Sequence, residues 1–402
     1  MTKKKYTFID LFAGIGGFHT AMHYVGGKCV FASEWDKNAR LSYEANYKDI
    51  EPELFQKDKD GKYLFFNEDI NDAIPNEIPD FDICCGGFPC QPFSVAGLKR
   101  GFEDTRGTLF FSIANIIKEK INAGCPPKVL FLENVRGLKT HDKGNTLKVI
   151  LATLEELGYG YSFEVLNAKY FGVPQNRERL FIIAWYKKQI DVEAFKFPYG
   201  IAEDGSTIYE KEKLKDGTLS TKVSDIFEPL ATLDSHYTIS DRMWEGHQKR
   251  KERNRQNGKG FGYSLFNADS IYTSTISARY WKDGSEILID QSEKGLNPRV
   301  LTPVEAGRLQ GYRILGNGWE HPECANNFNY NSSNIEFKIV VSRKETYRQF
   351  GNSVAIPVIK RLAEEIGLTR KTLCLPKDHR QSIEKKVKIY NPSELSSKLL
   401  YL

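Results

Sequence analysis

The sequence lacks long apolar runs. No run approaches the roughly 20 residues that span a bilayer, so we expect no membrane association. It also lacks a CxxC pair, and none of its seven cysteines has histidine partners at zinc spacing. Reduced thiols and no structural metal are therefore expected. The basic start, residues 1–5, is not followed by the apolar segment of a signal peptide, which favours the cytoplasm.

A large excess of charge of one sign is also missing. Lysine and arginine number 57 against 52 acidic residues, which gives a formal net charge of only +5. This balance is compatible with a nucleic-acid partner but does not demonstrate one. With 402 residues, the chain is long enough for two domains with separate cores.

Strand and helix patterns alternate over residues 6–185. This order predicts an α/β fold, with a largely parallel sheet and helices on both faces. From about residue 196 to 345 the pattern changes to short β-prone pieces and one basic helix, 240–256. We therefore predict a catalytic domain over 1–195, completed by 346–370, and a smaller, mainly β domain over 196–345. The sequence does not decide the role of the tail, 371–402.

Residues 86–94, Gly-Gly-Phe-Pro-Cys-Gln-Pro-Phe-Ser, are the centre of the sequence hypothesis. They follow an apolar run, 81–85, that is typical of a buried strand. The glycines and Pro89 turn the chain, so Cys90 is expected in a loop at a strand end. Ligands bind at that edge of open α/β sheets, which makes Cys90 a candidate nucleophile. The alternative is that Cys90 is an ordinary small apolar residue.

A glycine turn at residues 10–17, Asp-Leu-Phe-Ala-Gly-Ile-Gly-Gly, follows the first predicted strand. Such a turn lets backbone approach a nucleotide, although its spacing is not that of the dinucleotide fingerprint. Glu34 falls at the end of the second strand, Trp35 beside it offers an aromatic face, and Asp69 is expected to end the third strand. An adenosine ligand fits all three, and solvated loop carboxylates are the alternative.

Three charged residues are expected at the same sheet edge as Cys90. Glu133 follows the apolar run 129–132, where partial burial would raise the pKa of its carboxyl. Arg177 and Arg179 precede another strand, and a structural ion pair with Glu133 is an alternative role for them. A thiol, a protonatable carboxyl and an arginine beside an adenosine site suit nucleophilic attack on an electron-poor ring. Because no histidine lies in these motifs, Cys–His hydrolase chemistry is disfavoured.

These motifs together resemble those of DNA (cytosine-5) methyltransferases of bacterial restriction–modification systems. The resemblance covers nearly the whole chain, in the family's order. Its segments are residues 8–18, 86–94, 133–135, 175–181, 299–312 and 348–358. It implies a Rossmann-like fold that uses S-adenosylmethionine (SAM) and a cytosine flipped out of double-stranded DNA.

The resemblance also assigns roles. Cys90 would attack C6 of the cytosine, Glu133 would bond N3 and the amine, and Arg179 would hold O2. Arg177 would support the site, with phosphate as its candidate partner. The residues implied around SAM are Phe12, Gly14, Gly16, Glu34, Trp35, Asp69, Ile70, Pro89, Asn352, Ser353 and Val354. Residues 95–107 would close over DNA. The implied DNA contacts are Gln91, Ser94, Lys99, Arg100, Lys249, Arg250, Arg253 and Arg279.

The family's variable target-recognition segment corresponds to residues 196–298. Here the basic stretch 248–255 would follow phosphates, and a glycine loop, 258–265, precedes a predicted strand over 272–284. Packing in the small domain's core is an alternative for Tyr280 and Trp281. The segment is similar to that of enzymes that modify the inner cytosine of CCWGG or CCNGG. A monomer that works beside a restriction endonuclease is expected. An RNA methyltransferase, an inactive DNA-binding relative and an NAD-type oxidoreductase are the other hypotheses.

Overall fold

A computed structural model describes residues 6–89, 109–187, 195–216, 219, 221–229, 233–314 and 335–373, with side chains to residue 367. A seven-stranded sheet lies at the centre of the described part of the chain. Its strands are β1 (Tyr6–Leu11), β2 (Gly27–Ser33), β3 (Phe66–Asn67), β4 (Ile83–Gly87), β5 (Val129–Val135), β6 (Tyr159–Asn167) and β7 (Glu178–Tyr186). Their order across the sheet is β3-β2-β1-β4-β5-β7-β6.

The first five strands are parallel, as the alternating pattern predicted. β7 differs, because it lies between β5 and β6 and runs antiparallel to both. Residues 168–177 join β6 to β7 as a short 3₁₀ turn and loop, so the chain must reverse direction there. This reversal places the loop before β7 at the same edge as the ends of β4 and β5.

Helices cover both faces of the sheet. They are α1 (Gly17–Tyr24), α2 (Lys37–Tyr47), α3 (Leu109–Asn122), α4 (Asn145–Glu156) and, late in the chain, α8 (Ile356–Leu373). Alternate strand residues enter two apolar cores: Phe8 and Phe131 belong to one, and Ile9 and Leu130 to the other. Helix α8 packs against α1, so a late segment completes the first unit.

The segment after residue 195 contains short elements. They are β8 (Gly200–Ile201), β9 (Thr207–Ile208), α5 (Asp241–Gln256), β10 (Leu265–Phe266), β11 (Leu288–Ile289), α6 (Pro303–Leu309) and α7 (Arg343–Asn352). Ser240 caps α5, as the sequence indicated. The predicted strand over 272–284 is wrong. Its first half extends along residues 174–176 and bonds to them, and its second half forms turns with local backbone bonds.

A buried ion pair organises this segment. Arg299 donates to both carboxylate oxygens of Glu305, at 2.7 and 2.9 Å. Glu305 also completes a capping box with Thr302 at the start of α6. Tyr280 is buried nearby, and its hydroxyl accepts a hydrogen bond from the backbone N–H of Leu301. Tyr280 therefore packs in the core of this segment, which was the alternative role expected for it. Among the described residues, no helix combines the length and apolar character needed to cross a membrane.

Candidate active site

A cavity of about 390 Å³ lies at the carboxyl ends of β1, β2, β4 and β5. Ten of the residues predicted from sequence line it: Phe12, Gly14, Glu34, Pro89, Glu133, Arg177, Arg179, Asn352, Ser353 and Val354. Gly16, Trp35, Asp69 and Ile70, which were also predicted, do not line it. Cys90, Gln91, Ser94, Lys99 and Arg100 lie outside the described residues. Because Pro89 lines the cavity, Cys90 follows a wall residue directly in the chain.

The glycine turn after β1 forms one wall. Phe12, Gly14 and Gly16 all have positive φ angles, of 55°, 57° and 81°. A Cβ at Gly14 would meet open space, so this glycine leaves its backbone accessible. A Cβ at Gly16 would instead overlap the ring of Tyr47, whose hydroxyl donates to the Gly16 carbonyl at 2.6 Å. Gly16 is therefore required for packing beneath the turn.

Glu34 connects the turn to the end of β2. One carboxylate oxygen accepts from the Gly14 N–H and the other from the Asp36 N–H, each at 2.7 Å. Burial raises the pKa of this carboxyl. Trp35, in contrast, is 75% exposed. The acidic group at the strand end is thus held beside the open glycine.

Asp69 and Ile70 are not among the residues that line the cavity. The third strand ends at Asn67, and Asp69 caps the 3₁₀ turn that follows it. Its carboxylate accepts from the Asn71 backbone at 2.9 Å, a local bond that aspartate readily makes. The expectation that Asp69 ends a strand is therefore wrong, because the edge strand is only two residues long.

Glu133 and Arg179 meet at the opposite end of the cavity. Their strands pair antiparallel, and Arg179 Nε lies 3.1 Å from Glu133 Oε1. Burial raises the pKa of the Glu133 carboxyl, while the charges of Arg179 and Arg177 oppose that rise. Gly87 is the register partner of Glu133 on β4, and a Cβ there would lie only 3.4 Å from the carboxylate. A protonatable carboxyl is thus held beside the turn that leads to Cys90.

Asn134 holds this turn in place, a role that the sequence hypothesis missed. Its side-chain amide donates to the Phe88 carbonyl at 2.8 Å, and its oxygen accepts from the Val135 N–H at 2.8 Å. The side chain is buried, so losing the bond would leave polar atoms unsatisfied. The sequence feature that could have identified Asn134 is its position directly after Glu133 in the motif 133–135.

Arg177 is almost fully buried and joins three segments. Its guanidinium donates to the carbonyls of Ile276, Gly351 and Ser353, at 3.3, 3.2 and 2.5 Å. Burial lowers the pKa of Arg177 to about 9, which still leaves it charged at neutral pH. The expected phosphate contact is wrong, because this side chain faces backbone carbonyls inside the protein. Arg177 thus connects the target segment to the cavity wall.

Two further wall residues, Asp36 and Arg348, were not predicted. Arg348 on α7 pairs with Asp36, the N-cap of α2, at 2.6 Å. Gln349 bonds Ser42 at 2.9 Å beside them. Arg348 opens the quoted motif 348–358, which could have identified it. The contacts fix the late helix α7 across the cavity.

The predicted DNA contacts within the described residues divide into two groups. Lys249, Arg253 and Arg279 are exposed. Arg250 instead pairs with Asp283 at 2.9 Å and donates to the Gly262 carbonyl at 3.0 Å. Arg250 therefore shapes the loop after α5, and its expected contact with phosphate stays a prediction.

Comparisons with known proteins found similar sequences over most of this chain. The family model for C-5 cytosine-specific DNA methylases matches residues 6–368. Type II methyltransferase M1.ScrFI of Lactococcus lactis subsp. cremoris is 48% identical over 364 residues, which cover 90% of this chain and 78% of that protein. Type II methyltransferase M.NlaX of Neisseria lactamica is 46% identical over 363 residues, covering 90% and 96%.

Solved structures show the same fold. A Spodoptera frugiperda DNMT2 mutant aligns with a TM-score of 0.61 at 19% identity, over 90% of this chain and all of that one. Entamoeba histolytica methyltransferase EhMeth aligns with a TM-score of 0.60 at 17% identity, over 90% of this chain and 98% of that one. At these identities the likeness concerns the fold alone. It agrees with the predicted α/β architecture.

Proposed function

The chain belongs to the C-5 cytosine-specific DNA methylase family, and from this premise we propose that it methylates one cytosine within a short site of duplex DNA. The acceptor carbon would be activated by covalent addition of Cys90 to C6. Because C6 is inaccessible inside a stacked duplex, the cytosine must first leave the stack.

The cavity fits SAM on the chemistry of its walls. Gly14 leaves open space beside its backbone, and the Glu34 carboxylate next to it can accept from ribose hydroxyls. Asn352, Ser353 and Val354 form a wall from the late segment. SAM, when bound, supplies the methyl group as an electrophile.

The other cavity end is proposed to hold the cytosine. The neutral Glu133 carboxyl donates to N3, which favours addition of the Cys90 thiolate to C6. Arg179 then bonds O2, while its Nε, which lies 3.1 Å from Glu133 Oε1, orients the carboxyl. The resulting electron-rich C5 accepts the methyl group. Water then takes the C5 proton, and the C–S electron pair returns to sulfur, which restores the aromatic ring and the Cys90 thiolate.

One observation carries the proposal: a single cavity contains both the Glu34–glycine wall and the Glu133–Arg179 pair. A donor and an acceptor ring would therefore meet in one cavity, which shortens the distance over which the methyl group is transferred.

The test is transfer of labelled methyl from SAM to duplex DNA, with bisulfite sequencing to locate the product. Wild-type protein is expected to methylate cytosine C5, and Cys90→Ser to be inactive. Cys125→Ser, which changes a cysteine outside the cavity, is the matched control and should stay active. Methyl transfer by Cys90→Ser, or greater transfer to tRNA than to duplex DNA, would contradict the proposal.

A second proposal concerns the DNA sequence that the protein recognises and the purpose of its methylation. The relatives named above are Type II methyltransferases, and we propose that this chain protects DNA from an endonuclease with the same site. The similarity of residues 258–284 to enzymes for CCNGG or CCWGG supports such a site. Plasmid DNA from cells that express the protein should resist a methylation-sensitive endonuclease for that sequence. Full cleavage together with modification elsewhere would exclude this target.

A further inference from the structure

A second cavity, the α7 groove, lies at the start of α7. Its volume is about 600 Å³, and its walls come mainly from three segments of the chain, 236–243, 280–284 and 343–347. Later residues of the same helix, Arg348 and Asn352, line the first cavity instead. The α7 groove and the first cavity are therefore connected by one helix.

Three cationic side chains line the α7 groove. Lys282, Arg343 and Lys344 are exposed, and the ion pairs among the described residues include none of them. Lys344 Nζ lies 4.6 Å and Lys282 Nζ 5.5 Å from the centre of the Trp281 ring. The Arg343 guanidinium lies 4.6 Å from the centre of the Tyr237 ring. Aromatic faces attract cations without neutralising them, so the groove keeps its positive charge.

The carboxylates that follow two of these cations in the chain are bonded to other arginines. Asp283 pairs with Arg250 at 2.9 Å, and Glu345 pairs with Arg348 at 2.6 Å. Two of the cations also lie in the first turn of α7, where the helix dipole disfavours positive charge. An anion bound in the groove would offset both the mutual repulsion and the dipole, so the groove favours an anionic ligand.

The turn that carries Trp281 and Lys282 is held by Tyr280, which precedes it. The buried Tyr280 hydroxyl donates to the Ile287 carbonyl at 2.7 Å and accepts from the Leu301 N–H at 2.8 Å. The cations on this side of the groove are therefore presented by a fixed backbone, which lowers the entropy lost when a ligand binds.

Among anions, the backbone of duplex DNA fits the position of the groove. The exposed Arg279 directly precedes the turn, so the positive charge continues into the target segment. From Lys344 to Asn352, a wall residue of the first cavity, α7 advances about 12 Å. That length corresponds to roughly three or four base pairs of duplex. Backbone a few base pairs from the target cytosine would therefore be within reach of the groove.

We propose that the α7 groove binds backbone phosphates of the DNA that flanks the recognition sequence. This inference rests on the proposed function, because it takes DNA as the substrate. Lys282, Arg343 and Lys344 would contact phosphates whatever the flanking bases are, so the groove would add affinity without selecting sequence. Its contribution would depend on salt and on charged phosphates outside the site.

The test measures DNA affinity at several salt concentrations for wild type and for the double variant Lys282→Gln/Lys344→Gln. On a duplex with long flanks around the mapped site, the variant should bind about tenfold more weakly at roughly 0.1 M salt. The slope of log K against log salt should become less steep by about 1.8, since each lost phosphate contact removes about 0.9. SAM affinity without DNA should not change. Lys59→Gln/Lys62→Gln, which removes the same charge from exposed lysines of the catalytic unit, is the control and should bind as wild type does.

A second duplex of the same length identifies the phosphates. Neutral methylphosphonate linkages replace the first few phosphates beyond the site on both sides. Wild type should lose affinity on this duplex, and the deficit of the double variant should shrink to under about twofold, because the charge that the lysines would contact is already absent.

Three outcomes would overturn the inference. They are an unchanged salt slope in the double variant, an equal deficit on both duplexes, and competition by AMP that disappears in the variant, which would mark a mononucleotide site. Methylation by the wild-type protein would leave the proposed function standing in each case. A wild-type protein that does not methylate DNA would overturn both.

Discussion

At the scale of single residues, ionisation of Glu133 is set by competing interactions. Burial favours the neutral carboxyl, whereas Arg179 at 3.1 Å favours the carboxylate, and the pKa ends above its ordinary value. Because the proposed role needs the proton, a raised pKa extends the neutral form towards higher pH. Activity that depends on this proton must therefore fall as pH rises through the Glu133 pKa.

Glu133→Gln tests this role. The amide keeps the shape but cannot donate an acidic proton, so kcat should fall roughly 10²–10⁴-fold. The fall in activity as pH rises through the Glu133 pKa should also be absent in this variant. Single-turnover methyl transfer at several pH values, with saturating SAM, measures both effects. Glu178→Gln, which alters the exposed partner of Arg136, is the control. Near-normal kcat in Glu133→Gln would contradict the role.

Sequence patterns correctly identified residues at strand ends that line the cavity, but they were less successful for residues next to those strand ends. A strand end could be predicted from apolar runs, which placed Glu34 and Glu133 at the correct edge. The direction of a side chain depends on tertiary register, so Trp35 and Asp69 were included although neither lines the cavity. Asn134 was missed because its role, a bond to Phe88, joins two strands that are distant in sequence.

At the scale of elements, the contact between α7 and the target segment is very close. A Cβ at Gly351 would overlap backbone atoms of Ser277 and Ala278, which cannot move as a flexible side chain can. The parallel strands and α8 were predictable from local patterns. The contact between α7 and the target segment could not be predicted from local patterns, because the conformation of residues 272–278 depends on bonds to residues 174–176.

Gly351→Ala and Gly367→Ala make a matched pair. The first should reduce the free energy of unfolding by about 1–3 kcal/mol, because overpacking must separate α7 from the segment. The second lies in α8 with open space around its Cβ, so it should add about 0.5–1 kcal/mol by restricting the unfolded chain. Urea unfolding measures both. Equal stability of the two variants would show that the contact can relax.

At the scale of the whole molecule, one buried loop, residues 174–177, bonds to both parts of the chain. Gln175 donates to the Leu309 carbonyl at 2.9 Å and accepts from the Ile276 N–H at 3.1 Å. Arg177 extends the connection to Gly351 and Ser353. The segment that would read DNA and the wall that would bind SAM are thus fastened to the same few residues.

Arg177→Lys tests this connection. An ammonium is too compact to reach all three carbonyls, and the loss of about two charge-assisted hydrogen bonds should cost about 3 kcal/mol of unfolding free energy. Because Ser353 lines the cavity proposed for SAM and Ile276 belongs to the segment proposed to read DNA, affinities for SAM and for DNA should fall together. Calorimetric titration of each ligand measures this. Arg136→Lys, at an exposed ion pair, should change neither. A loss confined to one ligand would mean that Arg177 supports only one of the two surfaces.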